Sequence, residues 1–133
     1  MPVRPPIYGA DDRRRDYASQ RGSAREQGYT TRWDRLSRTY RSTYPLCLGC
    51  LTVGRTALAQ VVDHVLPHRG DPVRMWDTDN LQPLCKWHHD VIKQRLELMH
   101  AQGLACDADL HITSDKAVAL TQQLDPGGAG RKF

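Results

Sequence analysis

The amino-acid sequence predicts a small α+β domain clamped by a structural zinc ion, with flanking helices and a disordered basic arm ahead of it. Three observations predict this. Cys47-Leu48-Gly49-Cys50 and Cys85-Lys86-Trp87-His88 each place two metal-binding residues two apart, the spacing of zinc knuckles. Between them, Ala57 to Val62 and Leu81 to Leu84 are short apolar runs of strand length. Outside them, residues 30–44 and 88–100 repeat apolar side chains at helical spacing.

Taken in order, residues 1–27 are rich in Pro, Arg, Ser, Gly and Gln and poor in large apolar groups. They bury too little surface to offset the entropy of ordering and read as a flexible basic arm. Residues 1–45 carry ten Arg against five acids, whereas residues 46–133 carry nine Lys and Arg against ten acids. This asymmetry suits a polyanion such as nucleic acid, and equally a solvated tail. In residues 30–44, Trp33, Leu36, Tyr40 and Tyr44 share one helix face and read as packing residues. Arg32, Arg35, Arg38 and Arg41 recur on another side as a candidate phosphate-contacting stripe. Thr30 or Thr31 is the expected cap and Pro45 the expected stop.

After the first knuckle, Leu51 to Arg55 reads as a hairpin-like turn, and Ala57 to Val62 as a buried strand ending in Asp63-His64. Pro67 and Gly70 make residues 68–78 a loop. Leu81 to Leu84 leads into the second knuckle, a helix follows from His88 to about His100, and Gly103 stops it. Residues 28–103 thus form the domain, with a core at 57–100. Residues 104–133 form a partly flexible C-terminal extension with a short helix from Ser114 to Leu124. Cys106 has no partner knuckle and reads as a plain small residue.

Only 39% of residues are hydrophobic and 7% aromatic, thin material for an unaided core. A structural zinc contributes roughly 10–16 kcal/mol of apparent binding free energy in small zinc domains, enough to compensate. No apolar run approaches the ~18–20 residues needed to span a bilayer, and the N-terminus lacks the apolar stretch of a signal peptide. A cytoplasmic setting is therefore expected, in which thiols meet zinc rather than one another. Neither a membrane nor a small organic cofactor is expected as partner.

In combination the motifs resemble the HNH endonuclease family, in its small phage- or prophage-type form with zinc knuckles. The matching residues are Cys47-x-x-Cys50, Val62-Asp63-His64 through Asp71, Asn80-Leu81-Gln82-Pro83-Leu84-Cys85 and His88-His89, with the run from Gly28-Tyr29 through Trp33 to Tyr44-Pro45-Leu46 ahead of them. The resemblance covers residues 28–100. It implies a ββα-metal (His-Me finger) core around one catalytic divalent ion, and hydrolysis of DNA phosphodiester bonds as a nick or a double-strand cut. It also implies a bacterial host cell and a possible partner, since such proteins can work beside a phage terminase. Two departures stand out. The second knuckle ends in His88 where the family more often has Cys, and Lys93 lies one position beyond the family's usual Lys.

Hydrolysis of a phosphodiester needs an activated water and a counter-charge for the phosphorus centre and the leaving oxygen. Asp63 and His89 are assigned to the catalytic ion, Mg²⁺ or Mn²⁺ or another divalent metal. His64 is the general base. Asn80 ties the loop to the strand and orients His64. Cys47, Cys50, Cys85 and His88 hold the structural zinc, with the swapped assignment of His88 and His89 as the rival. His68 either contacts phosphate or braces the loop, and Asp71 braces the turn after Gly70. The alternative to an enzyme is a zinc-ribbon-like DNA-binding module or packaging accessory without catalysis, which leaves Asp63, His64, Asn80 and His89 unexplained.

Overall fold

A computed structural model describes residues 24–125 of the chain, with side chains from residue 30. The chain divides into two units, residues 1–36 and 37–133. Of the first, only the leading part of helix α1 (Ala24–Thr43) is described; most of the predicted basic arm lies outside the described residues. The helix starts six residues before the expected caps at 30. Ala24, Arg25, Glu26 and Gln27 are all good helix formers, so Thr30 and Thr31 lie inside the helix instead of capping it. Trp33, Leu36 and Tyr40 are half-buried as expected, while Tyr44 follows the helix and is exposed. Arg32, Arg35 and Arg38 are exposed, but Arg41 is half-buried and donates to the Gln60 carbonyl at 3.4 Å. Arg41 is thus the member of the predicted stripe that bonds the backbone of the strand region.

The first knuckle is a short helix, α2 (Leu48–Thr52), inside a backbone hairpin. Cys47 N donates to Ala57 O and Ala59 N to Pro45 O, both at 2.8 Å. Gly54, at φ 76°, closes the turn in a conformation costly for other residues. Residues 57–59 thus pair with the entry to the knuckle, and strand β1 is confined to Val61–His64, shorter than the run of apolar residues suggested.

Strand β1 runs antiparallel to β2 (Leu81–Leu84), with Asp63 opposite Gln82 and His64 opposite Leu81. The connection is more ordered than expected. Arg69 and Gly70 both take positive φ, and Asp71 caps helix α3 (Pro72–Trp76) by accepting from Val73 N at 2.9 Å. Pro72 suits the first helical position because that N–H has no helical partner. After the second knuckle comes a π-helical turn, His88–Lys93, continuous with α4 (Gln94–Ala101), which Gly103 ends at φ 77°.

Among the described residues, the segment from 107 to 125 packs into the core. Leu110 and Ile112, after a 3₁₀ turn (Asp107–Leu110), and Ala117, on α5 (Asp115–Leu124), are fully buried alongside Leu84, Ile92 and Leu96. Burying Leu110 and Ile112 is worth about 3–6 kcal/mol in all, against a net stability of about 5–15 kcal/mol for a whole domain. Low hydrophobicity hid this, because the burial comes from isolated residues rather than a stripe.

Candidate metal centre and catalytic cluster

Cys47, Cys50, Cys85 and His88 converge in the interior, three of them fully buried and Cys85 nearly so. Their ligand atoms lie within 4.8 Å of one another. His88 Nδ1 is 3.6 Å from Cys47 Sγ, 3.6 Å from Cys50 Sγ and 3.4 Å from Cys85 Sγ; Cys50 and Cys85 sulfurs are 3.9 Å apart. A tetrahedral ion with zinc's bond lengths demands edges of about 3.8 Å between sulfurs and about 3.6 Å between sulfur and nitrogen. The donor set and the spacing both fit zinc. Of the two rivals, His88 is the one whose ring lies with the three sulfurs, and His89 is not part of this group.

Without metal, the three thiols share their protons unequally. Hydrogen bonds from Cys50 and Cys85 hold Cys47 far below the ordinary thiol range. The same bond to Cys47 pushes Cys50 up to about 11 and raises Cys85 further. Zinc favours all three thiolates and releases those protons on binding. Gly49 explains the knuckle's composition: a Cβ there would lie 2.6 Å from His88 Nε2, inside contact distance.

A second cluster forms where β1 faces the π-helical turn. Asp63 is buried. Its Oδ2 accepts from Gln82 Nε2 at 2.9 Å and Lys93 Nζ at 3.0 Å, while its Oδ1 lies 3.7 Å from His89 Nε2. His89 Nδ1 is 3.0 Å from Asp90 Oδ1, and that carboxylate must accept, so Nε2 is the nitrogen left for a metal. Two ligands at about 2.1 Å from one ion are at most about 4.2 Å apart, so one ion can bridge Asp63 and His89.

Lys93 was not assigned a role by sequence reasoning. It is completely buried and uses its three protons on three acceptors: His64 O at 2.7 Å, Glu97 Oε2 at 2.7 Å and Asp63 Oδ2. The Lys–Glu pair four apart on a helix was the available signal. Gln82 was also missed; it bridges Asp63 and the backbone N–H of Ile112, which it accepts at 2.9 Å.

His64 Nε2 is 3.0 Å from Met75 O, and a carbonyl only accepts, so Nε2 carries the proton and Nδ1 is the basic nitrogen. Its ring lies 4.9 Å from that of His68, edge to face. Burial pushes its pKa below the ordinary histidine value. His68 braces its own turn, its Nδ1 accepting from Gly70 N at 3.0 Å. Asn80 works in both directions: Oδ1 accepts from Leu66 N and Nδ2 donates to Leu66 O, both at 2.9 Å, and Nδ2 also reaches Arg74 O at 3.2 Å. It therefore fixes the loop whose Met75 carbonyl holds His64.

Among the described residues no helix is long and apolar enough to cross a membrane. No family model, curated protein or solved structure matches this chain.

Proposed function

We propose that this protein is a metal-dependent endonuclease of the HNH type that hydrolyses DNA phosphodiester bonds on a zinc-clamped ββα-metal core. The observation that carries the reading is the meeting of Asp63 and His89, 3.7 Å apart yet distant in the chain, with His64 beside Asp63 on the same strand. A purely structural zinc domain has no need of that second cluster.

In this reading Asp63 and His89 would hold a divalent ion such as Mg²⁺ or Mn²⁺, which would supply positive charge for the phosphate and the leaving oxygen. His64 Nδ1 takes the proton of the attacking water, since a half-buried imidazole with a lowered pKa is neutral at pH 7. The Met75 carbonyl fixes its tautomer and orientation, and Asn80 fixes the loop that carries that carbonyl. Lys93 and Gln82 occupy Asp63 Oδ2, so the carboxylate presents one oxygen outward. The exposed Arg32, Arg35 and Arg38 supply phosphate contacts without base reading, so sequence preference is weak.

The test is plasmid cleavage with Mg²⁺ or Mn²⁺ and a chelator control, for wild type and His64→Ala. Expected is metal-dependent nicking or cutting that the substitution abolishes while zinc content and fold persist. Cleavage by His64→Ala at the wild-type rate removes His64 from the mechanism. A wild-type protein that binds plasmid without cutting it under any divalent ion leaves a DNA-binding zinc module.

A further inference from the structure

The zinc cluster has a fifth participant. Thr121, on α5, is almost wholly buried, and its Oγ1 lies 3.3 Å from His88 Nε2. The hydroxyl has a single proton, which it gives to Ala117 O at 2.9 Å. Toward His88 it can therefore only accept, and Nε2 must carry the imidazole proton. That leaves Nδ1 bare, and Nδ1 is the atom aimed at the three sulfurs.

Helix α5 is fixed at both ends, so Thr121 is held in place. Ser114 caps its start, accepting from Ala117 N at 3.1 Å while donating to Asp109 O at 2.9 Å. At its end, Arg55 donates to Asp125 Oδ2 at 3.2 Å and to Asp125 O at 3.1 Å. Arg55 follows the first knuckle directly, its N–H bonded to Cys50 O at 2.9 Å. The helix thus spans from the first knuckle to the ring of the second knuckle's histidine.

We propose that Thr121 is a positioning residue of the zinc site: by accepting from Nε2–H it fixes the Nδ1-ligating tautomer of His88, so that α5 sets metal affinity together with the knuckles. This rests on the zinc reading of the cluster and is independent of the nuclease reading.

The experiment measures zinc affinity of the full chain by competition with a chromophoric chelator. It also records the ring nitrogens of ¹⁵N-histidine-labelled zinc protein by NMR. Thr121→Val keeps the shape and removes the acceptor, and it should weaken zinc binding roughly 10–100-fold, the usual cost of losing such a partner. Thr121→Ser keeps the acceptor and should restore most of the affinity. In wild type and the Ser variant, His88 should show an Nδ1 ligand and a slowly exchanging Nε2–H; the Val variant should lose the slow exchange. Val binding zinc within about twofold of wild type overturns the proposal, because a lost partner of this kind costs far more. So does an Nε2-ligated His88 in wild type, a readout that holds even if the Val variant fails to fold.

Discussion

Lys93→Met is the sharpest perturbation of the second cluster. It keeps the length and apolar stem of a fully buried side chain and removes the charge together with its three hydrogen-bond donors. In the wild type that charge faces Asp63, whose side chain is 8% exposed, and Glu97, whose side chain is 33% exposed. Glu97 can turn to water when its partner goes. Asp63 cannot, and keeps only the Gln82 amide at Oδ2. Breaking a buried pair from one side costs about 3–5 kcal/mol, because a charge is left without compensation. Urea unfolding in excess zinc at neutral pH measures the loss directly from the shift in midpoint. The double variant Asp63→Asn with Lys93→Met carries neither buried charge and should recover part of that loss, even though it lacks a candidate metal ligand. A loss under about 1 kcal/mol for Lys93→Met, the level of an exposed pair, would refute the reasoning. So would a double variant less stable than the single.

Two further outcomes follow from the geometry. Burial lowers the pKa of His64, and only the neutral ring can accept a proton. Cleavage should therefore be level above neutrality and fall with an acid-side midpoint below the ordinary histidine value of about 6.5. The stability linkage has the same direction: the unfolded ring protonates first as pH drops below about 6.5, so the contribution present above that pH is lost toward the folded pKa. A pH–rate profile with its midpoint at or above 6.5 removes His64 as the base. Gly49→Ala forces a methyl onto the ring of His88, which is held by its neighbours in the cluster and by Thr121. Overpacking of this kind costs about 1–3 kcal/mol; thermal melting in saturating zinc checks it, and a wild-type melting temperature would show that the ring has room to move.

The cluster of three cysteines and one histidine was legible because its members come in pairs at short fixed spacing, and a knuckle is a local structure. Asn80 was legible only through the motif around it, because an Asn before Leu is otherwise an ordinary turn or cap; its amide bonds the Leu66 backbone in both directions. What could not be read were partnerships made by tertiary packing. Thr121 looks like any helix threonine until α5 is laid against His88. Gln82 looks like a solvent-facing strand residue until Asp63 is found opposite it and Ile112 beyond it. The length of β1 was overestimated because Ala57 is buried by the knuckle's own hairpin, not by a sheet. The early start of α1 was missed because a threonine was weighted as a cap over good helix formers preceding it.

The π-helical turn from His88 to Lys93 delivers neighbouring residues to different clusters. His88 and His89 are neighbours that must serve different clusters, and residues adjacent on a helix point about 100° apart. Four residues after His89, Lys93 must still arrive at Asp63, and Ile92 and Leu96 must still enter the core. An α-helix has about 3.6 residues per turn, and a π turn holds about one more. A π turn holds that extra residue within a single widened turn and leaves the faces downstream unchanged. Such a turn forgoes ideal helical hydrogen bonds. Its place here is supported by the groups it brings to their partners: His88 to the sulfurs, His89 to Asp63 Oδ1 and Lys93 to Asp63 Oδ2.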